Sequence, residues 1–492
     1  MTDLGALALF ATVLAGAVGL GELLRARAGW TPESSRRAVH AVTALGVAVS
    51  AEWFEEPTWL YVLGLVFIGV NAVAVPRRWL AGMHGIRRTS WGTVIFPVAF
   101  VVALVTCWTL DPGRVYILQV AFVVLGLADP AASYVGTSMT RPGVYRIGDE
   151  TKSAAGSIVF ITVAVLASGV TLLLAGPPTL SPAHVLGGAV VVGVLTTVVE
   201  ALGRRGWDNL WIVLAVIVPL SALDARPGDV GLHLAALGVA AAFGALAYRA
   251  RSLDLGGALG ATVLAWMVVA VGGPAWAAPA FTFFALSSAL SRLGRRRKTE
   301  AEALAEKGSR RDIGQVVANG GVGAACLAAY GVVPSPLLFG AFVGAFAAAA
   351  ADTWATEIGT LARSARVLLV GRRVPPGTSG GMSVVGTVGG VLGAASVVGA
   401  VLVVTGAGPA AVPWALGVVG AGVGGSAVDS VLGATLQARF AAPDGTLTER
   451  PSADGSALPL AAGRRWLTND GVNAACTTVG AGLGAVAAAL LS

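Results

Sequence analysis

Apolar runs dominate the chain and recur with short polar breaks. Segments 4–20 (LGALALFATVLAGAVGL), 59–75, 157–176 and 390–408 approach or reach the roughly 20 residues that cross hydrocarbon as a helix. Counting such runs predicts about 14 to 16 crossings, hence an all-α, polytopic integral membrane protein. Two stretches break the pattern. Residues 128–157 (ADPAASYVGT through GDETKSAAGS) and 351–387 (ADTWATEIG through PPGTSGGMSVVGT) set acids, amides, a lysine and glycines in or against apolar helices. A bilayer tolerates such groups only where they face a protein interior or a wet cavity, so each stretch marks a candidate site.

Composition agrees. Of 492 residues, 55% are hydrophobic and 12% charged, where soluble domains carry roughly 25% charged residues. Asp3, not a basic residue, precedes the first apolar run, and no small-residue cleavage pattern follows it, so it reads as a retained helix. Cys107, Cys326 and Cys476 sit in apolar segments without paired spacing, which predicts neither a disulfide framework nor a thiolate metal site. His40, His84, His184 and His233 are scattered and predict no histidine-rich metal centre.

The net charge of +7 resides in loops between spans, so no nucleic-acid partner is expected. Basic loops at 23–37, 76–90, 137–152, 203–208, 249–254, 292–311, 363–373 and 439–465 alternate with connectors poor in Lys and Arg, such as AEWFEEP and GPPTLSP. The positive-inside rule assigns the basic set to the cytoplasm, in the inner membrane of the cell. Both termini then fall on the far side, and the polar motifs cluster at cytoplasmic helix ends.

A polar, Pro/Gly-containing link, SALDARPGDVGL (221–232), predicts two domains, 1–225 and 226–492. No alignment of the first half onto the second is apparent. An inverted-repeat transporter is therefore unsupported, and two different membrane domains are expected.

In the first half, Asp129 lies just inside a span, with Ser133 four residues on, on the same helical face. The segment GVYRIGDETKSAAGS offers Gly148, Lys152, Ser153 and Gly156, with Ser157 expected to open a helix. Glycine turns leading to a helix start suit phosphate, because backbone amides and the positive helix end face the anion. The plainer alternative is a capped helix with a snorkelling Lys152. Glu200 within a span, and Asp208 and Asn209 before the next, add acids from further helices.

The series RRAVH (36–40), ADPAASYVG, GDETKSAAGS and VEALGRRGWDNL (199–210) resembles the phytol kinase and dolichol kinase group over roughly residues 20–222. Those membrane enzymes transfer phosphate from CTP to a polyprenyl alcohol. The resemblance implies that Asp129, Lys152, Ser153, Gly156, Glu200, Asp208 and Asn209 lie in or beside a nucleotide and metal site, with Arg37 and His40 as further candidates.

In the second half, Arg311, Gln315 and Asn319 recur every four residues and share a helix face, which suits a polar cavity better than lipid. Thr353 and Glu357 share a face beside Asp352, and Gly359 is placed to end the helix. Asp352 and Glu357 are read as carboxylates one turn apart, able to hold magnesium on phosphates. Gly377, Thr378, Ser379, Gly380 and Gly381 form a loop suited to an anion, and Asp429, Gln437, Asn469, Asp470 and Asn473 supply polar groups from two more helices. Each of these pieces taken alone is also explained by helix packing with interhelical hydrogen bonds.

QVVANG, ADTWATEIG, GTSGGMSVVGT, VDSVLGATLQ and NDGVN together closely resemble the phytyl-phosphate kinase family, whose animal members are called transmembrane-19-like proteins, over roughly 250–490. Its plant members phosphorylate a prenyl monophosphate to the diphosphate.

The two resemblances imply a bifunctional enzyme. An isoprenoid alcohol (phytol, geranylgeraniol or farnesol) would become its monophosphate in the first half and the diphosphate in the second. Mg²⁺ and CTP, or another nucleoside triphosphate, are the implied cofactor and donor. Asp129 and Asp208 in one site, and Asp352, Glu357 and Asp429 in the other, are the expected metal ligands. Asp129, Lys152, Glu200, Asp208, Asn209, Asp352, Glu357 and Asp429 form the expected catalytic set. The expected partners are the isoprenoid alcohol and its monophosphate, the nucleotide and the lipid bilayer, and a homo-oligomer is allowed. Two rivals use overlapping features: a CTP-dependent lipid cytidylyltransferase, which releases pyrophosphate, and a lipid-phosphate transporter, which needs acids along a path between both faces.

Overall fold

The computed structural model describes residues 2–77, 90–292, 310–362, 364–367, 373–374, 380–443, 445–453 and 456–491. Among these, sixteen α-helices are present, and fourteen helical segments are long and apolar enough to cross a membrane. The chain divides into two compact units, Met1–Leu237 and Gly238–Ser492.

The first unit contains α1 (Asp3–Arg27), α2 (Pro32–Ser50), α3 (Thr58–Arg77), α4 (Gly92–Leu104), α5 (Val115–Ser138), α6 (Ala154–Ala175), α7 (Pro182–Leu202) and α8 (Asp208–Ala225). The division falls within α9 (Val230–Arg249), beyond the polar link, which forms a 3₁₀ turn over Pro227–Asp229. The second unit continues with α10 (Leu255–Met267), α11 (Pro274–Arg292), α12 (Ile313–Val332), α13 (Pro336–Gly359), α14 (Val384–Thr405), α15 (Val412–Thr435) and α16 (Asn469–Leu491). Helices α2 and α11 are the two not apolar enough to count among the candidate spans.

Local chemistry sets many of the starts. Thr31, Ser181 and Ser335 each accept a backbone N–H through the side-chain oxygen and are each followed by a proline in the first helical turn. Hydroxyl caps satisfy orphan amide donors, and proline loses nothing there because its missing N–H would have been unpaired. In the first unit the connectors are short enough for successive helices to alternate in direction, whereas long segments separate α13 from α14 and α15 from α16. The start of α2, end of α5, start of α6, end of α7 and start of α8 therefore share one end of the first unit.

Helix α5 is the axis of the first unit, with Tyr116, Ile117, Leu118, Val120, Ala121 and Phe122 all buried. Helix α13 plays that part in the second, where every residue from Gly340 to Ala351 is buried. There Gly340 and Gly344 meet Gly480 and Gly484 of α16 so closely that a Cβ on any of the four would collide with backbone across the seam. Small residues are what let membrane helices pack backbone to backbone.

The two units are not unlike, contrary to the expectation of two different domains. Helices α2, α5, α6, α7 and α8 pack as the pairs α2–α5, α5–α6, α6–α7, α7–α8 and α5–α8. Helices α12, α13, α14, α15 and α16 repeat those pairings in the same order. The sequence follows. ADPAASYVGT (128–137) aligns with ADTWATEIGT (351–360) and SAAGS (153–157) with SVVGT (383–387), whereas the Arg-Arg pair lies within α2 in the first unit and just ahead of α12 in the second. The repeat is masked in the chain because α3 and α4 intervene between α2 and α5, whereas nothing intervenes between α12 and α13.

Candidate functional site

In each unit a small antiparallel sheet leads into the third helix of the frame. In the first unit, strands β1 (Val144–Ile147) and β2 (Glu150–Ser153) pair from Val144↔Ser153 to Ile147↔Glu150. Gly148 turns the hairpin at φ 56°, a left-handed conformation that glycine adopts without cost. It also leaves room for the Arg204 guanidinium, which would collide with any Cβ there and donates 3.0 Å to the Ile147 carbonyl. In the second unit, β3 (Ala365–Val367) pairs with both β4 (Arg373–Val374) and β5 (Gly381–Met382). Gly377, Thr378 and Ser379 lie outside the described residues.

The helix after each sheet starts in the same way. Ser153 caps α6, its Oγ accepting from Gly156 N at 3.1 Å, and Ser383 caps α14, its Oγ accepting from Gly386 N at 3.0 Å. Ser157 and Thr387 then donate to the carbonyls of Ser153 and Ser383, at 3.2 and 3.0 Å. Ser157 therefore does not open the helix. Ala154 does, because Ser153 with an amide three residues on is the stronger start signal.

Gly156 and Gly386 press against the preceding frame helix. A Cβ on Gly156 would sit 3.1 Å from the Ala132 carbonyl, and one on Gly386 2.8 Å from that of Ala355. Ala132 and Ala355 each stand three residues after the aspartates, Asp129 and Asp352. Ser153 and Gly156, expected in a phosphate cradle, thus fix the approach of two helices.

Around Asp129 the first unit gathers charge from five elements. His40 Nε2 of α2 lies 3.5 Å from Asp129 Oδ2. Asp208 at the start of α8, Arg36 of α2 and Lys152 of β2 are within electrostatic range of Asp129. Lys152 Nζ donates to Glu200 Oε1 at 2.6 Å and to the Glu200 carbonyl at 2.8 Å. Burial alone would lower the pKa of this ammonium, but the Glu200 carboxylate and its hydrogen bond raise it on balance. Arg37 donates to Ser133 Oγ at 2.9 Å and Thr137 Oγ1 at 3.0 Å, tying α2 to the end of α5. Asn209 donates 3.1 Å to the Gly92 carbonyl, a tie between α8 and α4.

In the second unit Asp352 of α13 and Asp429 of α15 share a hydrogen bond. Buried Cys476 of α16 is within electrostatic range of both and donates to the Ala348 carbonyl at 3.7 Å. Glu357 does not join them, contrary to expectation. Its Oε1 accepts from Ser291 Oγ of α11 at 2.6 Å. A spacing of five residues turns a side chain by about 140° around a helix, which separates Glu357 from Asp352. Arg311, Gln315 and Asn319 do line one cavity, but that cavity is mostly apolar, unlike the polar one expected, and Arg311 lies just ahead of α12. Gln315 also completes a capping box with Asp312 at the start of α12. Gly380 packs against Ala434 at φ 76°, and Gly381 is in β5. Asn469 and Asp470 form the first turn of α16, with Asn473 one turn on.

Among the described residues, no group of three or more His, Cys, Asp and Glu is arranged as a metal cage. The carboxylates come in twos instead: Asp352 and Asp429 share a hydrogen bond, and Asp208 lies within electrostatic range of Asp129. Asp208 Oδ1 and Asp429 Oδ2 are buried without a hydrogen-bond partner. Paired carboxylates stay side by side when a proton or a cation lies between them. Magnesium characteristically takes one or two carboxylates and completes its shell with water and phosphate oxygens, so both pairs fit that ion.

Sequence reasoning passed over Arg36, the cap at Ser383, the Ser291 partner of Glu357 and the place of Cys476 beside Asp352 and Asp429. The recurring Arg-Arg pair and Ser-x-x-Gly spacing were the available signals.

Protein PGR of Arabidopsis thaliana is 28% identical over 251 residues, covering 46% of this chain and 85% of that relative. No solved structure matches the chain. Residues 238–481 match the family described as Integral membrane protein DUF92, a range lying within the second unit; with its fourteen candidate spans, the chain is an integral membrane protein whose second unit is similar to that family.

Proposed function

We propose that the protein is a membrane phosphotransferase that acts twice on an isoprenoid. The first unit phosphorylates the alcohol and the second phosphorylates the resulting monophosphate, with a nucleoside triphosphate, CTP foremost, as donor. The observation that carries this reading is the recurrence of one frame. Asp129 and Asp352 occupy corresponding places above a serine-capped helix start, and each has a second acid nearby, Asp208 from the fifth frame helix in one unit and Asp429 from the fourth in the other. Two like sites suit two like reactions on successive substrates.

The differences between the copies support the division of labour. An alcohol must lose a proton as it attacks phosphorus, whereas a phosphate monoester presents an oxygen that is already ionised. The first unit places His40 against Asp129 and Lys152 on Glu200. At the position before the capping serine, where the first unit has Lys152, the second unit has Met382. His40, with Asp129 behind it, is the candidate acceptor for the alcohol proton.

Asp129 with Asp208, and Asp352 with Asp429, would hold magnesium, which supplies charge neutralisation on the phosphates. Lys152, oriented by Glu200, and Arg36 supply fixed positive charge beside the first pair. The basic loops support a cytoplasmic orientation of both sites, with the lipid substrate reaching them from the bilayer.

The test is thin-layer analysis of purified protein in detergent with geranylgeraniol, magnesium and γ-labelled CTP or ATP. Label is expected in mono- and diphosphate, with D129N making neither from the alcohol and D352N stopping at monophosphate. Label entering lipid from the α position instead would indicate the cytidylyltransferase. Substrate crossing vesicle membranes without nucleotide turnover would indicate the transporter.

A further inference from the structure

We infer that the second unit holds a dedicated subsite for the head-proximal part of an anionic isoprenoid, formed by a phenylalanine-lined cavity with Arg311 in its wall. The inference deepens the proposed function and rests on it for the identity of the lipid tail.

The cavity measures about 60 Å³ and is bounded by residues of α9 to α13. Phe243, Phe281, Phe283, Phe284 and Phe346 are among its lining residues. Phe243 meets Phe281 and Phe284 at centroid distances of 5.1 and 5.0 Å, with interplanar angles of 90° and 69°. Edge-to-face rings give a rigid apolar wall. A volume of this size takes roughly four to six water-sized groups, which is the size of one branched five-carbon unit and not of a whole polyprenyl tail.

Arg311, Gln315 and Asn319 form the polar side of the same cavity. The Arg311 guanidinium lies over the Phe283 ring at 5.6 Å, and among the described residues no hydrogen bond holds it. Burial lowers its pKa, opposed by Glu357. A half-buried arginine left without a bidentate partner is suited to an incoming phosphate fork. Gln315 uses its Oε1 to accept from Asp312 N, which leaves its NH₂ group for a ligand. The charge thus faces an apolar chamber, away from the carboxylate pair, so these three residues bind the lipid rather than the nucleotide. Phe346 stands six residues before Asp352 on α13, about 9 Å along the axis, so α13 contributes both to the chamber and to the acid pair.

The site is tested by photolabelling the purified full-length protein in detergent with a diazirine-bearing geranyl monophosphate, without nucleotide or magnesium. Labelled peptides from α9 to α12 are expected, with geranyl monophosphate competing at least tenfold better than either inorganic phosphate or geraniol. R311Q is expected to weaken labelling tenfold or more and R311K to recover part of it. V316F, which fills the chamber from α12, is expected to block labelling while thermal unfolding shows the protein folded. Labelling elsewhere, labelling indifferent to R311Q and V316F, or equal competition by inorganic phosphate would overturn the subsite. Labelling at these residues by a protein that transfers no phosphate would retain the subsite and reject the proposed function.

Discussion

Lys152 Nζ sits 2.6 Å from Glu200 Oε1, in a pair whose side chains are only 19% and 13% exposed. A buried ion pair is costly to break from one side, because the remaining charge stays desolvated. K152M is expected to lower stability by about 3–5 kcal/mol, and K152M/E200Q by less than the sum of the single changes, measured by unfolding in detergent. The pair also fixes a pH dependence. The lysine pKa is raised in the folded protein, so its contribution is complete below the ordinary lysine pKa and is lost as pH rises through the raised one. The lysine's share of that stability is expected to be flat across neutral pH and to fall only at strongly alkaline pH, a fall that K152M removes.

His40 separates the two reactions. H40N is expected to slow phosphorylation of an isoprenoid alcohol by about 10²-fold or more while leaving phosphorylation of the monophosphate unchanged. Equal loss with both substrates would show that His40 has no part in moving the alcohol proton.

Ser153 and Ser383 are helix caps by geometry. S153A or S383A is expected to cost about 0.5–2 kcal/mol with little change in the KM for nucleotide. A rise in that KM at unchanged stability would instead make the serine a phosphate ligand.

The α13–α16 seam has no room for side chains. G344L is expected to destabilise the second unit by about 1–3 kcal/mol or more, whereas G420L, which faces open space on α15, is expected to be neutral. Proteolysis of the two variants in detergent would separate them.

The spans, the aspartates and the stripe Arg311–Gln315–Asn319 were legible in the sequence, because hydropathy and a four-residue spacing translate directly into helix and face. Glu357 was misread although its spacing from Asp352 already turned it away. The repeat was harder to see. Between 128–137 and 351–360 only Ala, Asp, Ala, Gly and Thr coincide, and two helices inserted after α2 break the register. Ser153 looked like a phosphate ligand because caps and anion sites use the same residue types at the same helix end.

Gly136 and Gly359, at the ends of the aspartate helices, approach the capping serines within van der Waals reach of any added Cβ. No side chain cushions that meeting, so each small sheet is coupled to its aspartate helix as one arm of a hinge is to the other. A shift of either sheet is expected to reach Asp129 or Asp352 as a displacement of the carboxylate.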